Sequence, residues 1–160
     1  MAPPRAPSLL DRSLRLLLGG VHGLMKLGWR VRRPRTFGAH AVALTPAGKV
    51  VLVRLRYAPG WRLPGGGRKE HEPAELAVLR ELREEIGMTA HGDVQLAREL
   101  EESADFKRDL ASLFIVRDVR YAPARWSWEI EAITEASLDA LPPDISGRAA
   151  GWLEALRDKL

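Results

Sequence analysis

The chain has 160 residues, 46% hydrophobic and 29% charged, which excludes a disordered polymer and allows one domain with a real core. It has no cysteine, so disulfides and thiolate metal sites are excluded, which suits a reducing cytoplasm. The net charge of +4 is uneven: residues 1–36 carry eight basic residues against Asp11 alone, +7, and the remainder carries 17 basic and 20 acidic residues, −3.

Residues 1–7 are rich in proline. Leucines then recur at near-helical spacing over residues 8–29, weakened by Gly19, Gly20 and Gly23 and closed by Pro34. This basic arm, residues 1–36, has two readings. It is a solvated helix packing its leucines on the body, or an arm drawn to anionic lipid, nucleic acid or a polyphosphate. Its apolar stretch falls short of the roughly 20 residues that span a bilayer, and it lacks a secretory cleavage signal. A soluble chain with no integral membrane segment is expected.

Residues 37–160 form the predicted domain. "FGAHAVALTPAGKVVLVRLRY" reads as two strands around a turn at Pro46–Gly48, and "APGWRLPGGG" as a loop. A helix follows, with Pro73 in its first turn and Gly87 as its stop. "DVQLAREL", "LASLFIVRDV" and "RWSWEIEAI" are three further strands, "LPPD" is a turn, and a closing amphipathic helix begins near Ser146. This order predicts a mixed α/β sandwich.

The central helix carries the chemistry. At 100° per residue, Leu76, Leu79, Leu82 and Ile86 share one arc, predicted to be core, and Glu81, Glu84 and Glu85 share roughly the opposite arc. Like charges at i, i+3 and i+4 repel by about 0.2–0.5 kcal/mol per pair, a cost that a cation would offset. Carboxylates with a backbone carbonyl suit a hard ion such as Mg²⁺, and the glycine loop lets the carbonyl of Gly65 complete the shell. An exposed helix with ordinary charge pairs, such as Arg80 with Glu84, is the competing account.

Residues 66–88, "GGRKEHEPAELAVLRELREEIGM", resemble the signature box of the Nudix hydrolases: Gly66, Glu72, Arg80, Glu81, Leu82, Glu84, Glu85, Gly87 and Met88 fill every defined position. The likeness extends over about residues 37–142 and leaves the arm outside. It implies an α/β/α sandwich and hydrolysis of a diphosphate joining a nucleoside to another group X. It also implies Mg²⁺ as cofactor, with Mn²⁺ as a substitute. By position, Glu84 and Glu85 would be the main metal ligands, and Glu81 a further ligand or an activator of water. Glu72 and Arg80 would pair to hold the loop on the helix. Glu129 would be a metal ligand or general base. The chain departs from the family at His71, where many members have glycine just before the first box glutamate, and an altered loop shape or substrate preference is expected rather than lost activity.

Arg54, Arg56 and Arg62 flank the glycine loop and would meet phosphates or point to solvent; Gly66 and Gly67 would lie against the substrate. Tyr57, Trp61, Trp126 and Trp128 are candidates for stacking on a base or for packing. Family members often pair, so a homodimer stays open. The marks that sort the family by substrate are missing. A non-catalytic nucleotide- or nucleic-acid-binding module on the same fold is the alternative, motivated by the arm.

Overall fold

The computed structural model describes residues 35–69, 71–104 and 107–160. The predicted basic arm lies outside the described residues up to position 34. Arg35 and Thr36, assigned to the arm above, already belong to the first strand. Among the described residues, no helix is long and apolar enough to cross a membrane.

Among the described residues, nine strands and two α-helices follow in order: β1 (Arg35–Ala43), β2 (Val50–Leu55), β3 (Trp61–Arg62), β4 (Gly65–Gly67), α1 (Ala74–Ile86), β5 (Met88–Ala90), β6 (Val94–Ala104), β7 (Lys107–Val116), β8 (Arg120–Tyr121), β9 (Ile130–Ala136) and α2 (Gly147–Ala155). A short 3₁₀ turn, Arg157–Lys159, ends the chain. One sheet runs β4-β1-β7-β6, with β1 parallel to β7 and the other pairs antiparallel. A second, antiparallel sheet runs β3-β2-β9, and β5 pairs with β8.

Why the central strands are buried on both faces is legible in their alternation. Ala39, Ala41, Ala43, Val51, Val53, Phe114 and Val116 pack in one cluster with Ala77, Val78, Leu82 and Ile86 of α1. Their neighbours Val42, Leu44, Val50, Leu52, Leu113 and Ile115 pack in a second with Ala149, Trp152 and Leu153 of α2. Successive strand residues point to opposite faces, so each apolar run feeds two cores. The product is a helix–sheet–helix sandwich. Each fully buried valine or leucine contributes about 1.5–3 kcal/mol of transfer free energy.

Several local expectations change. The turn at residues 45–49 forms, closed by the Thr45 N–H to the Lys49 carbonyl at 2.9 Å. The strands flanking it then part after one bridge, Leu44 to Val50, and join different sheets. A local pattern fixes the turn; the partners β7 and β9 come from farther along the chain. The last predicted strand begins at Ile130, not at residue 125, because the Ser127 hydroxyl accepts the N–H groups of Glu129 and Ile130 and bends the chain there. The glycine-rich segment is not all loop: Gly65, Gly66 and Gly67 pair with His40, Ala39 and Gly38 as a sheet edge.

Candidate active site

α1 starts after Pro73 and stops at Gly87, whose left-handed conformation (φ 69°) lets its N–H reach the Arg83 carbonyl. Its buried residues are Ala77, Val78, Leu79, Leu82 and Ile86. Leu76, predicted core, is 57% exposed. The inward face is therefore centred elsewhere than the leucine arc suggests, and Ala77, Glu81 and Glu85, four residues apart, form one stripe along it. Glu81 and Glu85 do not point away from the body. They run over β4, where side chains are missing.

That absence is required. A Cβ on Gly66 would stand 2.8 Å from the Glu81 carboxyl group, and one on Gly65 would meet the Ala39 carbonyl oxygen at 2.3 Å. The Gly65 N–H donates to Glu85 Oε2 at 2.8 Å. The Gly65 amide thus orients the carboxylate, and this contact does not engage the carbonyl expected to face a cation.

Arg80 ties the constellation together. Its Nε and Nη2 donate to the two carboxylate oxygens of Glu72 at 2.9 and 3.0 Å, and Nη2 also donates to the Gly67 carbonyl at 3.0 Å. Nη1 donates to Glu81 Oε1 at 2.6 Å and to Glu84 Oε2 at 3.2 Å. Glu72 also accepts the Lys69 N–H at 2.8 Å, and its own carbonyl takes Arg68 Nε and Nη2. The Arg80 hydrogen bonds, then that from Lys69, pull the Glu72 carboxyl down to about 2. The same bonds from Glu72 raise Arg80 above its ordinary value. His71, inside this closed loop, adopts a left-handed conformation with φ 62°. Glycine takes this conformation freely, and a non-glycine residue carries strain there.

The other acids are under opposite stress. Burial pushes Glu85 up to about 8, opposed by the Gly65 N–H and reinforced by the carboxylates of Glu129, Glu81 and Glu84. Burial also raises Glu81, with Arg80 pulling the other way. Glu84 is 59% exposed. Glu129 sits just before β9, and the Tyr57 hydroxyl donates to its Oε1 at 2.5 Å. Burial, followed by that bond, raises the Tyr57 phenol.

Gly65, Gly66, Gly67, Glu85, Glu129 and Arg62 line a cavity of about 270 Å³, together with His40, Tyr57, Arg148 and Trp152. Arg62 Nε is buried there without a hydrogen-bond partner. Arg54 is not brought in: it pairs with Asp144 and lies 4.4 Å over the Trp61 ring, beside a separate surface hollow. His40, Arg148 and Trp152 escaped the sequence reading. The sequence put the start of α2 near Ser146, whose side chain accepts the Ala149 N–H, without placing it beside the site; the Ser146 N–H bonds the Trp61 carbonyl and fixes that start against β3.

A hard divalent cation fits this donor set chemically, because its oxygens are carboxylates, and the charges of Glu129, Glu81 and Glu84 raise the proton affinity of Glu85. Among the described residues no three acidic or imidazole groups are drawn together at chelating distance, and Arg80 bridges Glu81 and Glu84.

The model of the NUDIX domain matches residues 34–156. An RNA pyrophosphohydrolase from Acidiphilium cryptum (strain JF-5) is 40% identical over 93 residues, 54% of this chain and 54% of that protein. The chain thus spans about half the length of that curated relative. A MutT NUDIX hydrolase from Burkholderia pseudomallei superposes with TM-score 0.65 at 27% identity, covering 75% of this chain and 96% of that one. A bifunctional NMN adenylyltransferase/ADP ribose pyrophosphatase from Francisella tularensis, complexed with AMP and a Mn ion, shares the fold with TM-score 0.65 at 14% identity, over 90% of this chain and 48% of that one.

Proposed function

From the premise that this chain belongs to the NUDIX family, we propose that it is a divalent-metal-dependent hydrolase of nucleotide-derived diphosphates. The observation that carries this reading is the lining of the cavity, where half-buried Glu85 and exposed Glu129 come together with Arg62, Arg148 and three glycines. Acids for a cation and arginines for an anion in one cleft suit a metal–diphosphate.

Glu84 and Glu85 would hold the cation, Mg²⁺ or Mn²⁺, with Glu81 as a further ligand. When bound, the cation supplies charge neutralisation and a more acidic water. The residues of the chain do the rest. Gly65 aims Glu85 through its N–H, and Arg80 fixes Glu81 and clamps the loop through Glu72. Glu129, held by Tyr57, takes the proton of the attacking water, a contribution of about 10²–10⁴-fold. The water oxygen bonds to phosphorus, the anhydride P–O bond breaks, and the bridging oxygen leaves with its electron pair on the second phosphate. Arg62 and Arg148 meet the phosphate oxygens.

The test is a panel of nucleoside triphosphates, dinucleoside polyphosphates and nucleoside-diphosphate-linked sugars with Mg²⁺ or Mn²⁺. At least one is hydrolysed, and Glu85→Gln lowers the rate by 10²-fold or more. No turnover of any member with either ion overturns the proposal.

A further inference from the structure

Glu85 borders two clefts. The second, a groove of about 230 Å³, runs along Glu84 and Glu85 and is also lined by Arg56, Arg125, Trp126, Glu131 and Ile133. We propose that this groove binds a second nucleobase, so that the preferred substrate carries two nucleotides rather than one. The inference rests on the hydrolase reading above and adds the substrate class.

Trp126 and Trp128 are 51% and 68% exposed and stand edge to face, 4.5 Å between ring centroids. Trp126 lines the groove and Trp128 braces it from outside the lining, so the groove is offered one exposed indole that the core does not use. Cations sit beside it: the Arg56 guanidinium lies 5.8 Å from the Trp126 centroid, and Arg125 lines the same wall.

The loop that carries the pair is built rather than slack. The Ala122 N–H donates to the Gly87 carbonyl at 2.9 Å, which ties the start of the loop to the end of α1. Arg56 Nε donates to the Ser127 carbonyl at 3.0 Å, and the Arg56 N–H donates to the Glu129 carbonyl at 2.9 Å, which tie its far end to β2. Both anchors flank the carboxylates assigned to the reaction.

A stacking ring next to guanidinium groups, continuous with a phosphate-handling site, matches a base with its own phosphate. A pyranose face also packs on indole but makes no use of the two cations. Two sources share the chemistry: the far nucleoside of a dinucleoside polyphosphate, and the next nucleotide of a 5′-phosphorylated RNA.

The experiment compares kcat/KM for a nucleoside triphosphate, a nucleoside-diphosphate hexose, a dinucleoside tetraphosphate and a 5′-triphosphorylated RNA dinucleotide, in wild type and in Trp126→Ala/Trp128→Ala. The preference for a two-base substrate over the triphosphate falls by about 5- to 150-fold in the variant, mainly through KM. The arm that loses it, tetraphosphate or RNA, names the source. An equal loss on all four substrates, no loss, or a loss confined to the hexose compound overturns the inference and leaves the hydrolase reading intact. Should nothing be hydrolysed, the hydrolase reading fails alone. The groove is then judged by quenching of tryptophan fluorescence with a dinucleoside tetraphosphate: quenching in wild type that is lost in the variant supports it, and none refutes it.

Discussion

Adjacent glycines in β4 should respond oppositely to the same change. An alanine at position 66 puts its Cβ 2.8 Å from the Glu81 carboxyl, the far end of a flexible side chain. Ordinary contact begins at 3.4 Å, so the carboxyl must retreat by 3.4 − 2.8 = 0.6 Å or more, away from its 2.6 Å bond with Arg80. One weakened hydrogen bond costs about 1 kcal/mol of stability. A comparable misplacement of a reacting group costs on the order of 10²-fold in rate. At position 65 the Cβ meets backbone instead, Ala39 oxygen at 2.3 Å and His40 Cα at 2.5 Å, with φ at 139°. That backbone belongs to β1, held in register by β7, and cannot give way. Strain and overpacking then cost about 3 kcal/mol or more. Urea unfolding with kcat/KM on the best substrate separates the two variants: Gly66→Ala is folded and slow, Gly65→Ala is unstable. A Gly66→Ala protein that keeps full activity, or that unfolds as readily as Gly65→Ala, refutes the placement of Glu81 on the glycine edge.

Glu72 gives a pH signature. Its folded value near 2 lies below the ordinary 4.5, so its stabilising effect is complete above 4.5 and is lost as pH falls through about 2. Glu72→Gln should flatten the Tm-versus-pH curve between those limits, and superimposable acid limbs would contradict the Arg80 clamp. His71→Gly should raise stability by about 1 kcal/mol in urea, because glycine adopts φ 62° without the Cβ penalty; a loss of stability would count against strain in that loop. Mg²⁺ or Mn²⁺ at about 100 times its dissociation constant should stabilise the protein by roughly 2.7 kcal/mol, seen as a rise in Tm at pH 7. Glu84→Gln/Glu85→Gln should abolish the rise, and an equal rise in the double variant would place the ion elsewhere.

The parts of the fold readable from sequence were those with a long period. α1, α2 and the apolar runs of β2 and β7 announce themselves over six residues or more, and their terminators, Gly87 and Ser146, are local chemistry. β3, β4, β5 and β8 have two or three residues each, too few for any period. β4 is all glycine and carries no pattern at all; it is a strand only because β1 offers it a partner. The strand expected over "RWSWEIEAI" failed in its first half for a local reason, since Ser127 closes a turn that alternating aromatics conceal.

The site was legible as a list of residues and misread as a geometry. Three glutamates on a helix with leucines suggested two opposed faces, one dry and one wet. Leu76 misled that reading, and Ala77 held the correction: a small residue four positions before Glu81 marks where the helix comes closest to the sheet. Glu81 and Glu85 therefore lie at the edge of the core, where burial raises Glu85 toward neutrality and makes a cation worth more to it than on an open surface. The same depth explains the glycines, which clear space for carboxylates that a more exposed helix face would leave in water. What sequence could not supply was the far wall. Arg148 and Trp152 arrive from α2, whose docking depends on the bonds between Trp61 and residues 144–146, a contact set by tertiary packing rather than by any pattern in the helix itself.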